Sequence, residues 1–144
     1  MITLDTSAII AYLSRADSRH QLTVHLITEA RGPLVIPVPI LAEIAYLVET
    51  RRGPTVLAPF LSDIMRGDYL LDCGEQDLPR IRELTARFVD LPLGFADAAV
   101  VACAERRGGR VLTHDLRHFP IVAGWAEITV VGEAWSGRAD HDNG

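Results

Sequence analysis

The sequence predicts an α/β protein in which a parallel sheet is covered by helices on both faces. Short apolar runs that suit buried strands alternate with longer segments of helical periodicity, and this alternation is typical of parallel sheets. The chain has 144 residues, of which 49% are hydrophobic and 23% are charged. This length and composition favour a single globular domain with a substantial core.

Five apolar runs are predicted as strands. ITLD comes first and LVIP second, and both are short enough to be buried strands of a parallel sheet. YLLDC lies between two helical segments, and RVLT and ITVV supply the last strands. The predicted strands are 2–5, 34–37, 69–73, 110–113 and 128–131.

Six segments between these strands are predicted as helices. Thr6 and Ser7 can cap the first, Pro39 suits the start of the third, and Gly108 and Gly109 end the last. Gly-Pro pairs end the second and the third. The last helix is apolar nearly all round, so we expect it to lie inside the protein. The predicted helices are 7–14, 18–30, 39–52, 55–66, 76–90 and 94–107.

These elements place one domain at 1–131, followed by a polar C-terminal tail at 132–144. The N-terminus lacks the basic and apolar regions of a signal peptide, and the longest uncharged apolar stretch, 32–42, is too short to span a membrane. We therefore expect a cytoplasmic protein without a membrane partner. Cys73 and Cys103 lie far apart, so we interpret them as small buried hydrophobic residues.

The charge composition limits the kinds of partner. The net charge is −5, which argues against a protein that binds nucleic acid through its overall field. All 14 basic residues are arginine. Receiver domains and phosphotransferases of the haloacid dehalogenase type rely on a lysine, so both are disfavoured. The absence of GxxxxGK[ST], GxSxG and HExxH motifs also disfavours P-loop hydrolysis, serine esterase activity and zinc proteolysis.

Four acidic residues stand at positions that suit a shared site. Asp5 and Asp115 follow two predicted strands, and ligands of open parallel sheets bind beyond the carboxyl ends of strands. Glu43 lies at the margin of the apolar stripe of its helix, and Asp97 lies within the apolar helix. Each acid also has a simpler explanation when it is taken singly. Asp5 can cap the following helix, and Asp115 can form an Asx-turn. Glu43 can be a solvated side chain, and Asp97 can be favoured by the dipole of its own helix.

Together the four acids predict a metal site. Carboxylates about 5 Å apart repel by roughly 3 kcal/mol per ionised pair at an effective dielectric of about 20. The chain has no lysine, and Arg106 and Arg107 flank the apolar helix only at its far end. Oxygen ligands favour Mg²⁺ or Mn²⁺.

The segments LDTSAII, PILAEIAYLVE, DLPLGFADAAVVACAERRG and VLTHDLRHF resemble the PIN-domain ribonucleases, specifically the VapC-like toxins of bacterial toxin–antitoxin pairs. The resemblance spans residues 2 to about 131. It implies a three-layer α/β/α fold with a central parallel sheet of four to five strands and a metal-dependent endoribonuclease activity. It also implies catalytic and metal-binding roles for Asp5, Glu43, Asp97 and Asp115.

Further residues and partners follow from the same resemblance. Thr6 and Thr113 match hydroxyl positions near the metal, and Asp90 matches an acid either at the edge of the site or in a supporting role. An RNA substrate, an antitoxin protein and a homodimer, with a face from the apolar helices at 39–66, are implied. A metal-binding scaffold without catalysis, which binds an antitoxin or nucleic acid, remains the alternative.

The resemblance also guides the assignment of ligands and of neighbouring residues. Asp5 and Asp97 are the first choice as direct ligands, while Asp115 and Glu43 bind a second ion or metal-held waters, and the number of ions stays open. His114 and His118 are interpreted as packing residues of a turn anchored by Phe119, because the family has no chemistry there. The candidate phosphate contacts, which can equally be solvated helix faces, are Arg15, Arg19, Arg51 and Arg52.

Overall fold

The computed structural model describes residues 1–132 and has a five-stranded parallel sheet at its centre. The spatial order of the strands is β3-β2-β1-β4-β5. All four neighbouring pairs are parallel. Helices flank the sheet, so the predicted three-layer α/β/α fold is confirmed. The strands are β1 (Ile2–Leu4), β2 (Leu34–Pro37), β3 (Leu70–Asp72), β4 (Arg110–Leu112) and β5 (Thr129–Val131).

All six predicted helices are present, with ends shifted by a few residues at several of them. Helix 18–30 begins at His20, and helix 76–90 ends at Arg87. A short helix near residue 120 was not predicted. The helices are α1 (Thr6–Leu13), α2 (His20–Ala30), α3 (Leu41–Arg52), α4 (Pro54–Arg66), α5 (Leu78–Arg87), α6 (Phe95–Arg106) and α7 (Phe119–Ala123).

Helix α6 is the internal helix that its composition predicts. It packs against β1, β2 and β4 on one side and against α5 on another. Every residue from Ala98 to Ala104 is buried. Because Asp97 lies one residue before this stretch, its carboxylate is placed at the junction of the core and the carboxyl edge of the sheet.

The sequence also led to expectations about the two cysteines, the C-terminal tail and membrane-spanning segments. Cys103 is buried as expected, but Cys73 is exposed because it follows the edge strand β3, so the interpretation of Cys73 was wrong. The predicted polar tail, apart from Gly132, lies outside the described residues. None of the helices within residues 1–132 has the length and apolar character that crossing a membrane requires.

Candidate active site

The acidic residues converge where the strand order reverses. β1 is followed by β2 and β3 on one side, whereas β4 and β5 lie on its other side. Such a reversal leaves a crevice at the carboxyl ends of the two central strands, which is the usual ligand position in open α/β sheets. Asp5 follows β1 directly, and its backbone N–H donates to the carbonyl of Leu112 at the end of β4 (3.0 Å).

A cavity of about 640 Å³ opens at this point. All four predicted acids line it, although they come from four separate parts of the chain. Thr6 also lines it, together with three arginines and two histidines. The lining residues are Asp5, Thr6, Ser7, Ile10, Arg19, Glu43, Leu47, Arg51, Asp97, His114, Asp115, Leu116, Arg117 and His118.

Hydroxyl groups hold Asp5 in one orientation. Ser7 Oγ donates to Asp5 Oδ2 at 2.9 Å, and Thr113 Oγ1 donates to the same oxygen at 2.8 Å. The side chain makes no capping hydrogen bond to α1, so the cap explanation of Asp5 does not account for its position. Burial raises the pKa of Asp5 above its ordinary value of 3.8, although both hydroxyl groups oppose the change.

Ser7 is a site residue that the sequence analysis missed, because it was assigned only to capping α1. In addition to its bond to Asp5, Ser7 Oγ accepts a hydrogen bond from the backbone N–H of His114 at 2.9 Å. It thereby joins the start of α1 to the loop after β4. A serine two residues after a strand-ending aspartate is the local signal, but its partner lies 107 residues away in sequence.

Thr113 links the two acids that follow the central strands. While its hydroxyl donates to Asp5, the same oxygen accepts from the backbone N–H of Asp115 at 3.0 Å. Gly132 packs against the backbone of Thr113, and a Cβ at Gly132 would clash with the carbonyl oxygen of Thr113. Only glycine therefore allows the chain after β5 to pass this close to Thr113.

Glu43 reaches the cavity from the first turn of α3. It is exposed to solvent, and its Oε2 accepts a hydrogen bond from Thr6 Oγ1 at 3.3 Å. Glu43 is thus solvated, as one of the two explanations predicts, and it also lines the cavity, as the other predicts. Thr6 positions Glu43, whereas Thr113 positions Asp5 and the backbone of Asp115.

Among the four acids, Asp97 has the fewest partners that could stabilise its negative charge. Burial, together with the negative charges of Asp5, Asp115 and Glu43, raises its pKa from 3.8 to about 6, although the nearby His118 opposes the change. Among the described residues Asp97 has no arginine partner. A quarter of its side chain is exposed (25%), so it remains accessible from the cavity.

Asp115 combines a structural role with a place in the cavity. Its Oδ1 accepts from the backbone N–H of Arg117 at 2.9 Å, which is the predicted Asx-turn. Burial alone would raise the pKa of Asp115, but the hydrogen bonds from Arg117 bring it below 3.8. Arg117 is 81% exposed, so this ion pair contributes little to folding stability.

The two histidines of the VLTHDLRHF segment have different environments. Phe119 is fully buried, as expected of an anchor, and His114 is buried with its Nε2 2.7 Å from Thr23 Oγ1. His118, by contrast, has its Nδ1 3.4 Å from Oδ2 of both Asp97 and Asp115. Interpreting His118 as a packing residue therefore missed its contact with two acids of the cavity.

The other charged residues singled out in the sequence divide into those that line the cavity and those that lie away from it. Arg106 and Arg107 bind Asp72 and Asp77 at the other end of α6, so they do not neutralise the acids of the cavity. Asp90 is exposed and does not line the cavity, and neither do Arg15 and Arg52. Arg19 and Arg51 do line it, as does Arg117, which the sequence analysis had not proposed.

The donor atoms at the cavity fit a divalent cation. Carboxylate oxygens of Asp97 and Asp115 and Nδ1 of His118 all lie within 4.8 Å of one another. Nδ1 of His118 is buried and has no hydrogen-bond partner among the described residues. A cation would satisfy this nitrogen and offset the repulsion between the carboxylates at once.

The fold and the cavity define an α/β/α protein with an acidic site at the switch point of its sheet, which is the point where the strand order reverses. Comparison with known proteins gives the family. The PIN domain model matches residues 2–124, and the chain belongs to the PIN-domain family. Ribonuclease VapC26 of Mycobacterium tuberculosis is 33% identical over 132 residues, which cover 89% of this chain and 98% of that protein.

Solved structures of VapC proteins share the fold. VapC20 of M. tuberculosis, described as a Sarcin-Ricin loop cleaving toxin, superimposes with a TM-score of 0.75 at 21% identity. That match covers 89% of this chain and 98% of VapC20. DNA-bound VapBC of Salmonella typhimurium gives a TM-score of 0.64 at 26% identity, covering 90% of this chain and 96% of the other. The resemblance to VapC-like proteins is therefore confirmed.

Proposed function

We propose that this protein is a metal-dependent endoribonuclease and the toxin of a toxin–antitoxin pair. The observation that carries the proposal is the cavity at the switch point, where four carboxylates converge and Asp97 has no arginine partner among the described residues. The 33% identity to ribonuclease VapC26 supports RNA as the substrate. The alternative, a scaffold that binds metal without catalysis, uses the same acids but predicts no cleavage.

Each residue of the cavity has a distinct proposed role in hydrolysis. Asp5 and Asp97 are the proposed direct ligands, while Asp115 and Glu43 hold a second ion or orient water. When bound, Mg²⁺ or Mn²⁺ lowers the pKa of a water molecule and neutralises charge on the phosphodiester. Ser7 and Thr113 keep Asp5 in place, and Thr6 does the same for Glu43. No protein nucleophile is needed, so the expected products carry 5′-phosphate and 3′-hydroxyl ends.

Arginines at the cavity offer contacts for the phosphates of RNA. Arg19, Arg51 and Arg117 line the same opening as the acids, although Arg19 and Arg117 also pair with Asp17 and Asp115. Local positive charge of this kind can bind a phosphate backbone even though the net charge of the chain is −5. We propose that these three arginines place the scissile phosphate over the carboxylates. Asp90 is exposed and does not line the cavity, so we propose no contact between Asp90 and the metal.

The decisive test of catalysis is cleavage of RNA by the purified chain with and without divalent metal. We expect cleavage with Mg²⁺ or Mn²⁺, complete loss with EDTA, and recovery when metal is added in excess. Mapping the new 5′ ends should show phosphate. Asp68→Asn, an exposed change on the surface after α4, serves as the control that keeps activity. Metal binding without cleavage of cellular RNA would favour the scaffold instead.

We also propose a small inhibitory partner that closes the cavity. An acidic cavity attracts arginine or lysine, so a helix or strand laid across it can insert a basic side chain where metal or phosphate binds. The structural likeness to VapBC of S. typhimurium supports such a pairing. The exposed apolar residues Tyr46, Leu61 and Met65 on α3 and α4 also support the proposed homodimer.

Inhibition by the partner is expected to depend on its basic side chain. Co-expression with the protein encoded by the adjacent gene should yield a stable complex in which RNA cleavage is lost. Replacing the inserted arginine or lysine by alanine should restore cleavage, because the carboxylates regain access to metal. A complex that retains full nuclease activity, or native protein that purifies alone, would contradict this proposal.

A further inference from the structure

His118 belongs to the turn between β4 and α7, and its ring reaches the acidic cavity. Its Nδ1 lies 3.4 Å from Asp97 Oδ2 and 3.4 Å from Asp115 Oδ2. The imidazole is only 18% exposed, and Nδ1 makes no hydrogen bond with any described residue. The nitrogen is thus equidistant from two carboxylate oxygens without being hydrogen-bonded to either.

These distances suit donor atoms that share one ion. With metal–ligand lengths of about 2.1 Å, two ligands lie about 3.0 Å apart at right angles and about 3.4 Å apart at the tetrahedral angle. A direct N–H···O hydrogen bond is shorter, at about 2.7–3.2 Å. Both 3.4 Å separations are longer than a direct hydrogen bond, and a closure of about 0.4 Å brings each to the spacing of neighbouring ligands in an octahedral site.

We propose that His118 is a metal ligand together with Asp97 and Asp115, and that it makes the site prefer Mn²⁺ to Mg²⁺. The inference rests on the proposed metal-dependent function. It adds one nitrogen ligand to a set of metal ligands that otherwise consists of carboxylate oxygens. Mg²⁺ holds oxygen ligands and water, whereas imidazole suits transition-metal ions. With His118, Asp115 becomes a direct ligand of the same ion as Asp97, in place of the role beside a second ion given to it above. Asp5 is outside this group of three, and one of its oxygens is already held by two hydroxyl groups.

A different role for His118 predicts the opposite result. If the imidazole is only a protonated counter-ion of the two carboxylates, an incoming cation has to displace it. Removing the side chain would then strengthen metal binding, because the competitor is gone. If His118 is a ligand, removing it weakens metal binding, and the loss is larger for Mn²⁺ than for Mg²⁺. The sign of the change separates the two roles without any measurement of RNA cleavage.

The test compares the parent, His118→Gln and His25→Gln, each as the full chain without an affinity tag. His25 is an exposed histidine on α2 and serves as the matched control. Mn²⁺ and Mg²⁺ affinities are measured by calorimetry, and electron spin-echo spectroscopy of bound Mn²⁺ detects a coordinated nitrogen. We expect ¹⁴N coupling in the parent and in His25→Gln but not in His118→Gln.

The expected loss of Mn²⁺ affinity in His118→Gln is at least roughly tenfold, the lower end of what even outer partners of metal ligands contribute. Mg²⁺ affinity should fall less, so that the preference for Mn²⁺ narrows. If His118→Gln does not fold, ¹⁵N-histidine labelling of the parent should convert the coupling from ¹⁴N to ¹⁵N. A parent that binds Mn²⁺ without nitrogen coupling, or a folded His118→Gln with equal or tighter Mn²⁺ binding, overturns this inference alone. A parent that binds neither ion overturns the proposed function as well.

Discussion

Asp97→Asn is expected to melt at the same temperature as the parent or higher in EDTA, while RNA cleavage collapses. Burial and repulsion from Asp5 and the other acids of the cavity together raise the pKa of Asp97 to about 6. Keeping this carboxylate ionised in the folded protein therefore opposes folding. Relative to the ordinary value of 3.8, the penalty above pH 6 amounts to at most about 3 kcal/mol. Asparagine keeps the shape and removes the charge.

The pH dependence of this difference follows from the sign of the shift. Because the folded pKa is the higher one, the folded parent binds more protons than the unfolded chain between about pH 4 and pH 6. The penalty is complete above pH 6, shrinks as the pH falls, and vanishes below about pH 4. Melting temperatures of the variant and the parent in EDTA should therefore converge as the pH is lowered from 7.5 to 4.

Excess metal offsets the penalty in the parent. At a hundredfold over the dissociation constant, metal should stabilise the parent by ~2.7 kcal/mol and the variant much less. Melting curves in EDTA and in Mn²⁺, with one RNA-cleavage assay, measure both effects, and Asp68→Asn serves as the surface control. A variant that is destabilised in EDTA and still cleaves RNA would remove Asp97 from the site.

The positions of the acids could be predicted because they depend on local pattern. Short apolar runs define the strand ends, and the parallel order brings Asp5 and Asp115 to the same edge. An aspartate in an apolar helix is conspicuous in sequence, and α6 is indeed internal. Helix α7 was missed because five residues, FPIVA, are too few to show a helical period.

The supporting contacts could not be predicted because they join residues that are distant in sequence. Ser7 and Thr113, which hold Asp5, lie 106 residues apart, and nothing in the local sequence of either indicates the other. His118 follows Asp115 by three residues, but its significance depends on Asp97, which comes from another element. The resemblance to a known family pointed to Thr6 and Thr113 but to neither Ser7 nor His118.

A second buried carboxylate, Asp72 at the end of β3, differs from Asp97 because it is paired with arginines. Its side chain is 3% exposed, and Arg106 and Arg107 both pair with it at 2.6 Å. Its Oδ1 also accepts from the backbone N–H of Gly74 at 3.0 Å. The hydrogen bonds from Arg106 hold the pKa of Asp72 below 3.8, in spite of burial. The ionised form of Asp72 is therefore favoured by folding.

Asp72→Asn is expected to lower the free energy of unfolding by about 1–3 kcal/mol, because Arg107 loses its carboxylate partner and Arg106 keeps only Asp77. The contribution of Asp72 is fully present above about pH 4 and is lost as the pH falls towards its lowered pKa. The loss in the variant should therefore be largest near neutral pH, and urea unfolding at pH 7 and at pH 3.5 measures it.

Since Asp72 does not line the acidic cavity, the folded fraction of Asp72→Asn should bind Mn²⁺ with the affinity of the parent and cleave RNA at the parent rate. Asp97→Asn should show the reverse combination of full stability and no cleavage. The contrast is sharp because both residues are aspartates with restricted exposure near the carboxyl edge of one sheet, and only their partners differ. If Asp72→Asn lost metal affinity while unfolding like the parent, the division between an arginine-paired structural cluster and a cation-binding cavity would be wrong.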